Sequence, residues 1–181
     1  MKRRDALKST TLLIGGTFLA STGIFAACRP GERQERRQAL SVDDENLIEE
    51  IADTLLPTTT SSPGARAAGA GAAINLLLTD CYDREAQGRA VHGLAELRER
   101  SEARFGRPFA SLGVAQREEL LREIDAESRE RPDHWFRLVR ELSLRAYFSS
   151  EVGMTKALRY VLVPGRWTGC VPLAPGQPAW A

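Results

Sequence analysis

Residues able to do chemistry are sparse in this 181-residue chain. His92 and His134 are its two histidines, and neither has a partner at metal-ligand spacing. Asp133 beside His134 has the makings of an acid–base pair, but read locally it is an exposed helix start, and catalysis by the pair is the lesser reading. The run Gly69-Ala70-Gly71-Ala72-Ala73-Ile74 invites a dinucleotide reading and fails it twice. The third glycine of that fingerprint is missing, and a Thr/Ser/Pro loop stands where a strand is required. Close helix packing accounts better for those small residues. Cys-x-x-Cys, Gly-x-Ser-x-Gly and phosphate-loop patterns are absent from the chain. No catalytic, cofactor-binding or metal-binding residue is expected.

The most specific pattern lies at the start. Lys2-Arg3-Arg4-Asp5-Ala6-Leu7-Lys8 precedes a weakly apolar stretch from Thr10 to Ala27, diluted by Gly15, Gly16 and Gly23. Arg3, Arg4, Leu7 and Lys8 fit a twin-arginine export signal over residues 1–27, with Ala6 where Phe is usual. The apolar stretch is just long enough to cross a bilayer, so an uncleaved anchor is a second reading. Twin-arginine export carries proteins that are already folded, commonly because a cofactor is inserted before export. Nothing after residue 28 resembles a cofactor site. The expectation is a periplasmic domain that leaves by the twin-arginine translocase bound to another protein, which carries the cofactor.

Phe25-Ala26-Ala27-Cys28 resembles a lipobox, in which Cys28 would be diacylated and anchor the protein. An unmodified cysteine is the competing reading. Residues 1–27 hold four cations and one acid of a chain whose formal charge is +1, so the remainder is near −2. That balance gives no electrostatic reason to expect nucleic acid. Two further cysteines, Cys81 and Cys170, stand in an oxidising compartment on this reading. A Cys81–Cys170 bridge would close a loop of about 90 residues and stabilise by a few kcal/mol on the loop-entropy view. Alternatively Cys170 reaches a cysteine of a partner and Cys81 is a buried thiol.

Residues 28–40 read as a polar tether. Ser41, with Asp44 three residues on, opens a helix whose apolar doublets Leu47, Ile48, Ile51, Ala52, Leu55 and Leu56 recur at helical spacing. Pro57 and the Thr/Ser run to Gly64 end it. The pattern predicts a second helix over 65–81 and a third over 83–104, with Ala90, Val91, Leu94, Ala95 and Leu97 on one side. A fourth over 114–127 buries Leu120, Leu121 and Ile124. A fifth starts at Pro132 and reaches Ser150. Its wide apolar arc (Trp135, Phe136, Leu138, Val139, Leu142, Leu144, Tyr147, Phe148) makes it the expected central element. Charged residues such as Glu96, Arg98, Glu99, Arg100, Arg117, Glu118 and Glu119 read as solvated faces. The fold class is all-α: a compact bundle of about five helices over 41–159, followed by an extended Pro/Gly-rich arm over 160–181. The arm carries Trp167, Val171, Leu173 and Trp180 as apolar anchors, for its own bundle or for a neighbouring protein.

Several blocks together resemble one family. Ile51-Ala52-Asp53-Thr54-Leu55-Leu56-Pro57 with Pro63-Gly64-Ala65 and Ala68-Gly69 is similar to the opening of the gluconate 2-dehydrogenase subunit 3 family. So are Thr79-Asp80-Cys81-Tyr82, Gly93-Leu94, Tyr147-Phe148-Ser149-Ser150-Glu151-Val152-Gly153 and the closing Val163-Pro164-Gly165-Arg166-Trp167-Thr168-Gly169-Cys170-Val171-Pro172. The resemblance implies a small, non-catalytic subunit of a membrane-associated sugar or sugar-acid dehydrogenase. Its partner would be a large flavoprotein of the glucose-methanol-choline type that holds FAD, with a multihaem cytochrome c often taking the electrons onward. On that reading Tyr147, Phe148, Glu151, Gly153, Pro164, Arg166, Trp167 and Cys170 are the expected partner-contact residues. A stand-alone periplasmic lipoprotein that binds a ligand without a dehydrogenase is the alternative.

Overall fold

The structure is a computed structural model and describes residues 38–163, 165 and 169–180. Arg3, Arg4, Leu7, Lys8 and Cys28, most of the tether, and Pro164, Arg166 and Trp167 lie outside those residues. Among the described residues five α-helices follow one another: α1 (Val42–Leu55), α2 (Ala70–Cys81), α3 (Arg84–Phe105), α4 (Val114–Ser128) and α5 (Trp135–Phe148). No strand forms among the described residues. None of their helices is long and apolar enough to cross a membrane.

Local chemistry sets most helix ends. The Ser41 hydroxyl accepts from the Asp44 amide at 3.2 Å and opens α1, as the sequence predicts. Asp83 does the same for α3 through the Ala86 amide at 2.8 Å. Gly106, with φ 63°, closes α3 in the left-handed region that favours glycine. The second predicted helix is divided. Residues Arg66–Ala68 form a 3₁₀ turn, Gly69 reverses hand at φ 63°, and α2 starts only at Ala70. The fifth helix begins later than Pro132. Residues 128–134 are wound into turns by hydrogen bonds from the Arg131 amide to Ser128 and from the His134 amide to Arg131. His134 is the cap: its Nδ1 accepts from the Phe136 amide at 3.2 Å.

The core gathers the expected stripes. Leu47, Ile48, Ile51 and Ala52 of α1 meet Ile74 and Leu78 of α2, Ala90, Leu94 and Leu97 of α3, and Leu120, Leu121 and Ile124 of α4. Val91 and Ala95 instead turn to solvent, because α3 buries a narrower stripe than its composition suggests. α5 packs on each of the other four helices and contributes Phe136, Val139 and Leu142 to the centre. Its expected central place is borne out.

Glycine permits two of the closest approaches. A Cβ on Gly71 would stand 2.8 Å from Glu49 Cβ and 2.9 Å from the Glu45 carbonyl, so α1 and α2 meet backbone to backbone there. A Cβ on Gly93 would fall inside the Trp135 indole, so α3 gives up a side chain to seat α5. The small residues of 69–74 are packing devices.

Ala39 and Leu40, expected at the end of the tether, belong to the bundle. Leu40 is buried, its amide donating to Asn75 Oδ1 at 3.1 Å, while the Ala39 amide donates to Thr79 Oγ1 at 2.9 Å. Asn75 Nδ2 in turn donates to Glu45 at 2.6 Å, which satisfies this buried amide from both ends.

The charged faces of α3 and α4 are also more than solvated. Arg100 makes a bidentate pair with Glu127 at 2.7 Å on both arms, and Arg104 reaches Glu119 and Glu123 at 2.5 Å each. Arg117 joins α4 to Glu50 of α1 at 2.6 Å and donates to the Leu112 and Ala110 carbonyls. These are cross-helix straps, and each exposed pair of this kind contributes under about 1 kcal/mol.

Candidate functional site

Two regions carry the features a function could use. The first follows α5. Tyr147 is buried, and its hydroxyl donates to the Pro63 carbonyl at 2.7 Å, tying the end of α5 to the loop after α1. The Ser150 hydroxyl donates to the Tyr147 carbonyl at 2.6 Å and accepts from the Gly153 amide at 3.0 Å. Residues Gly153–Ala157 continue as a π turn, and a Cβ on Gly153 would collide with the Tyr147 backbone. Tyr147 and Gly153, expected to touch a partner, are therefore internal. Phe148, set edge-on to Tyr147 at 5.0 Å, is partly exposed, and Glu151 is exposed. Within the motif, Tyr147, Ser150 and Gly153 have bonding or packing duties inside the chain, whereas Phe148, Ser149 and Glu151 stand at the surface.

Beyond the π turn the apolar residues face outward. Leu162, Val163 and Leu173 are 78 %, 76 % and 78 % exposed, and Tyr160, Val161 and Val171 are exposed beside them in sequence. The ends of this segment meet: the Arg159 amide donates to the Ala179 carbonyl at 2.7 Å, and the Arg159 guanidinium lies 4.2 Å above the Trp180 ring. Exposed aliphatics in such number mark an interaction site more often than chance. Covering the three most exposed on a partner offers on the order of 1.5–3 kcal/mol each before the cost of association is deducted.

Cys81 and Cys170 are both exposed and both free. The internal bridge is not formed in this structure. Cys81 is also not the buried thiol of the competing reading, because it closes α2 at the surface.

The second region lies between α3 and the connection from α4 to α5, where a groove of about 410 Å³ is lined from α3 by Arg89, His92 and Glu96 and from the connection by Arg131 and His134. Asp133 is exposed as expected, but His134 is only 7 % exposed, which corrects the reading of an exposed pair. Its ring stacks on Trp135 at 5.6 Å between centroids. Its Nε2 is buried and has no hydrogen-bond partner. Burial, followed by the nearby Arg131, pushes the imidazole below its ordinary pKa, so it is neutral near pH 7. Since Nδ1 accepts, the proton sits on Nε2 and is a donor without an acceptor, a situation that costs about 1–3 kcal/mol. Trp135 Nε1 donates to Glu96 at 3.0 Å beside it. The sequence places His134 at an exposed helix start because a histidine next to an aspartate there looks solvated. The following Trp-Phe pair, which drags the cap inward, was the available signal.

Nothing in this geometry assembles a nucleophile with a base, and no group of acidic, histidine or cysteine residues suited to a metal ion occurs among the described residues. No curated protein and no solved structure shows detectable similarity to the chain. The sequence profile described as Gluconate 2-dehydrogenase subunit 3 matches residues 42–165, from the first residue of α1 to beyond the π turn. The chain belongs to the gluconate 2-dehydrogenase subunit 3 family.

Proposed function

We propose that this chain is the small escort subunit of a periplasmic, membrane-associated FAD-dependent sugar or sugar-acid dehydrogenase. Membership of the subunit 3 family makes it an accessory component of a dehydrogenase complex. The finer reading adds three elements. The signal at Arg3, Arg4, Leu7 and Lys8 sends the folded complex through the twin-arginine translocase. A flavoprotein of the glucose-methanol-choline type supplies FAD and the hydride chemistry, with a multihaem cytochrome c as a further partner. Diacylation of Cys28 tethers the assembly to the membrane.

The observation that carries this reading is the exposure of the apolar residues Tyr160, Val161, Leu162, Val163, Val171 and Leu173 on a chain of this family. It favours a partner over the alternative of a segment folded back on its own bundle, since self-packing would bury the residues that stand most exposed. Phe148, Glu151 and Cys170 are the exposed members of the expected contact set, and Cys170 is free to meet a partner's thiol. The test is deletion of residues 1–27 in cells that also make the flavoprotein. The flavoprotein should then be retained in the cytoplasm or lost; its normal appearance in the periplasm would defeat the proposal. A monomeric protein extracted gently from membranes with no flavoprotein attached would favour the stand-alone lipoprotein.

A further inference from the structure

The unsatisfied His134 donor is framed by acids that are bonded elsewhere in the chain. Glu96 accepts from the Trp135 indole at 3.0 Å on one oxygen and from Arg100 at 2.6 Å on the other. Glu127 receives both arms of Arg100 at 2.7 Å. Neither acid is bonded to Nε2–H, which leaves that donor open to an acceptor from outside the chain.

The same groove holds cations with weak internal ties. Arg131 is paired only with Glu127 at 3.9 Å, and its side chain is 57 % exposed. Arg89 reaches only Glu85, whose side chain is 81 % exposed. Gly88 leaves the α3 side open, since a Cβ there would meet nothing within 4 Å. Arg89, Arg131 and His134 thus line a groove of about 410 Å³, within the range of small-molecule sites, with the His134 N–H buried at its wall.

The charge balance selects among anions. Glu96 and Glu127 share Arg100, and with Asp133 also lining the groove a doubly charged ligand is disfavoured. The Phe136 amide, which a phosphate at the start of α5 would use, is already taken by His134 Nδ1. A single carboxylate answers both demands, with one oxygen for the buried donor and one negative charge for arginine. We propose that this groove binds a small organic monocarboxylate, with one oxygen accepting from His134 Nε2–H and the charge paired by Arg131. Nε2 is shielded from water, so binding requires side chains at the groove to move aside. The site does not depend on the existence of a flavoprotein partner.

The experiment is nitrogen-15 NMR of the histidine side chains in protein isolated from cells expressing the full chain, titrated with acetate, glycerate and inorganic phosphate at fixed ionic strength. Acetate and glycerate should shift the His134 Nε2–H signal saturably, with Kd on the order of 1 mM, and slow its exchange with water. Arg131→Gln, at an exposed position that leaves the bundle intact, should raise that Kd about tenfold. His134→Ser, which retains a helix cap, should abolish binding. A signal unmoved by either carboxylate would overturn the proposal. So would equal binding by Arg131→Gln, or a phosphate response as strong as the acetate one.

Discussion

The bundle of residues 38–148 and the segment after residue 158 handle apolar side chains in opposite ways. In the bundle, Phe136, Leu142 and Ile124 are at most 1 % exposed and their helices are strapped by arginine–carboxylate pairs. In the segment, Leu162, Val163 and Leu173 face outward, and one backbone hydrogen bond with one arginine–tryptophan contact draws its ends together. The contrast separates two tasks. Burial gives the bundle a core of its own, whereas the segment's apolar surface gains its free energy only when something covers it.

If the contrast is right, substitutions should divide cleanly. Phe136→Ala should lower unfolding free energy by about 3–5 kcal/mol, read as a shift in denaturant midpoint. Gly93→Ala should cost about 3 kcal/mol, because the added methyl displaces Trp135 and its bond to Glu96. Near-normal stability in that variant would show that α5 is less firmly seated than its packing implies. Arg100→Gln, which removes the strap to Glu127, should cost only about 0.5–1 kcal/mol and less at high salt. Smallest of all, Leu162→Ser and Leu173→Ser should change stability by under about 0.5 kcal/mol while weakening recovery of the flavoprotein in affinity capture. A large loss of stability there would mean that the segment belongs to the fold, and the comparison would collapse.

Acidification sharpens the same division. The folded His134 resists protonation that the unfolded one accepts, so the unfolded chain binds more protons below about pH 6.5. Stability contributed by this group is complete above that pH and falls as pH drops through it. His134→Asn, which can still accept from the Phe136 amide, should flatten the dependence in that window when unfolding is followed by circular dichroism. Glu127 is held below the ordinary glutamate range by its bond to Arg100, so its contribution is lost only at lower pH, as the carboxylate protonates.

Much of the bundle was legible because its determinants are local. The caps at Ser41 and Asp83 depend on residues three positions away, and the stripes of α1 and α4 repeat within each helix. The breaks that went unseen are also instructive. Gly69 divides the second helix, and the fifth starts at Trp135 in place of Pro132, because alanine-rich or proline-led stretches tolerate either outcome until packing chooses. The candidate site was less legible. The Tyr147–Gly153 block was recognisable as a motif but not as an internal clasp, because its partner at Pro63 lies 84 residues away.

By itself, the sequence determined the helical class, the main core stripes and the family, since each follows from spacing along one chain. Only the tertiary structure decided that Gly93 makes room for Trp135, that Arg100 straps α3 to α4, and that His134 is buried with a donor unanswered. Those facts depend on which surfaces meet. Residues remote in sequence meet only after the chain has paid the entropy of closing the loops between them, and no local pattern records that choice.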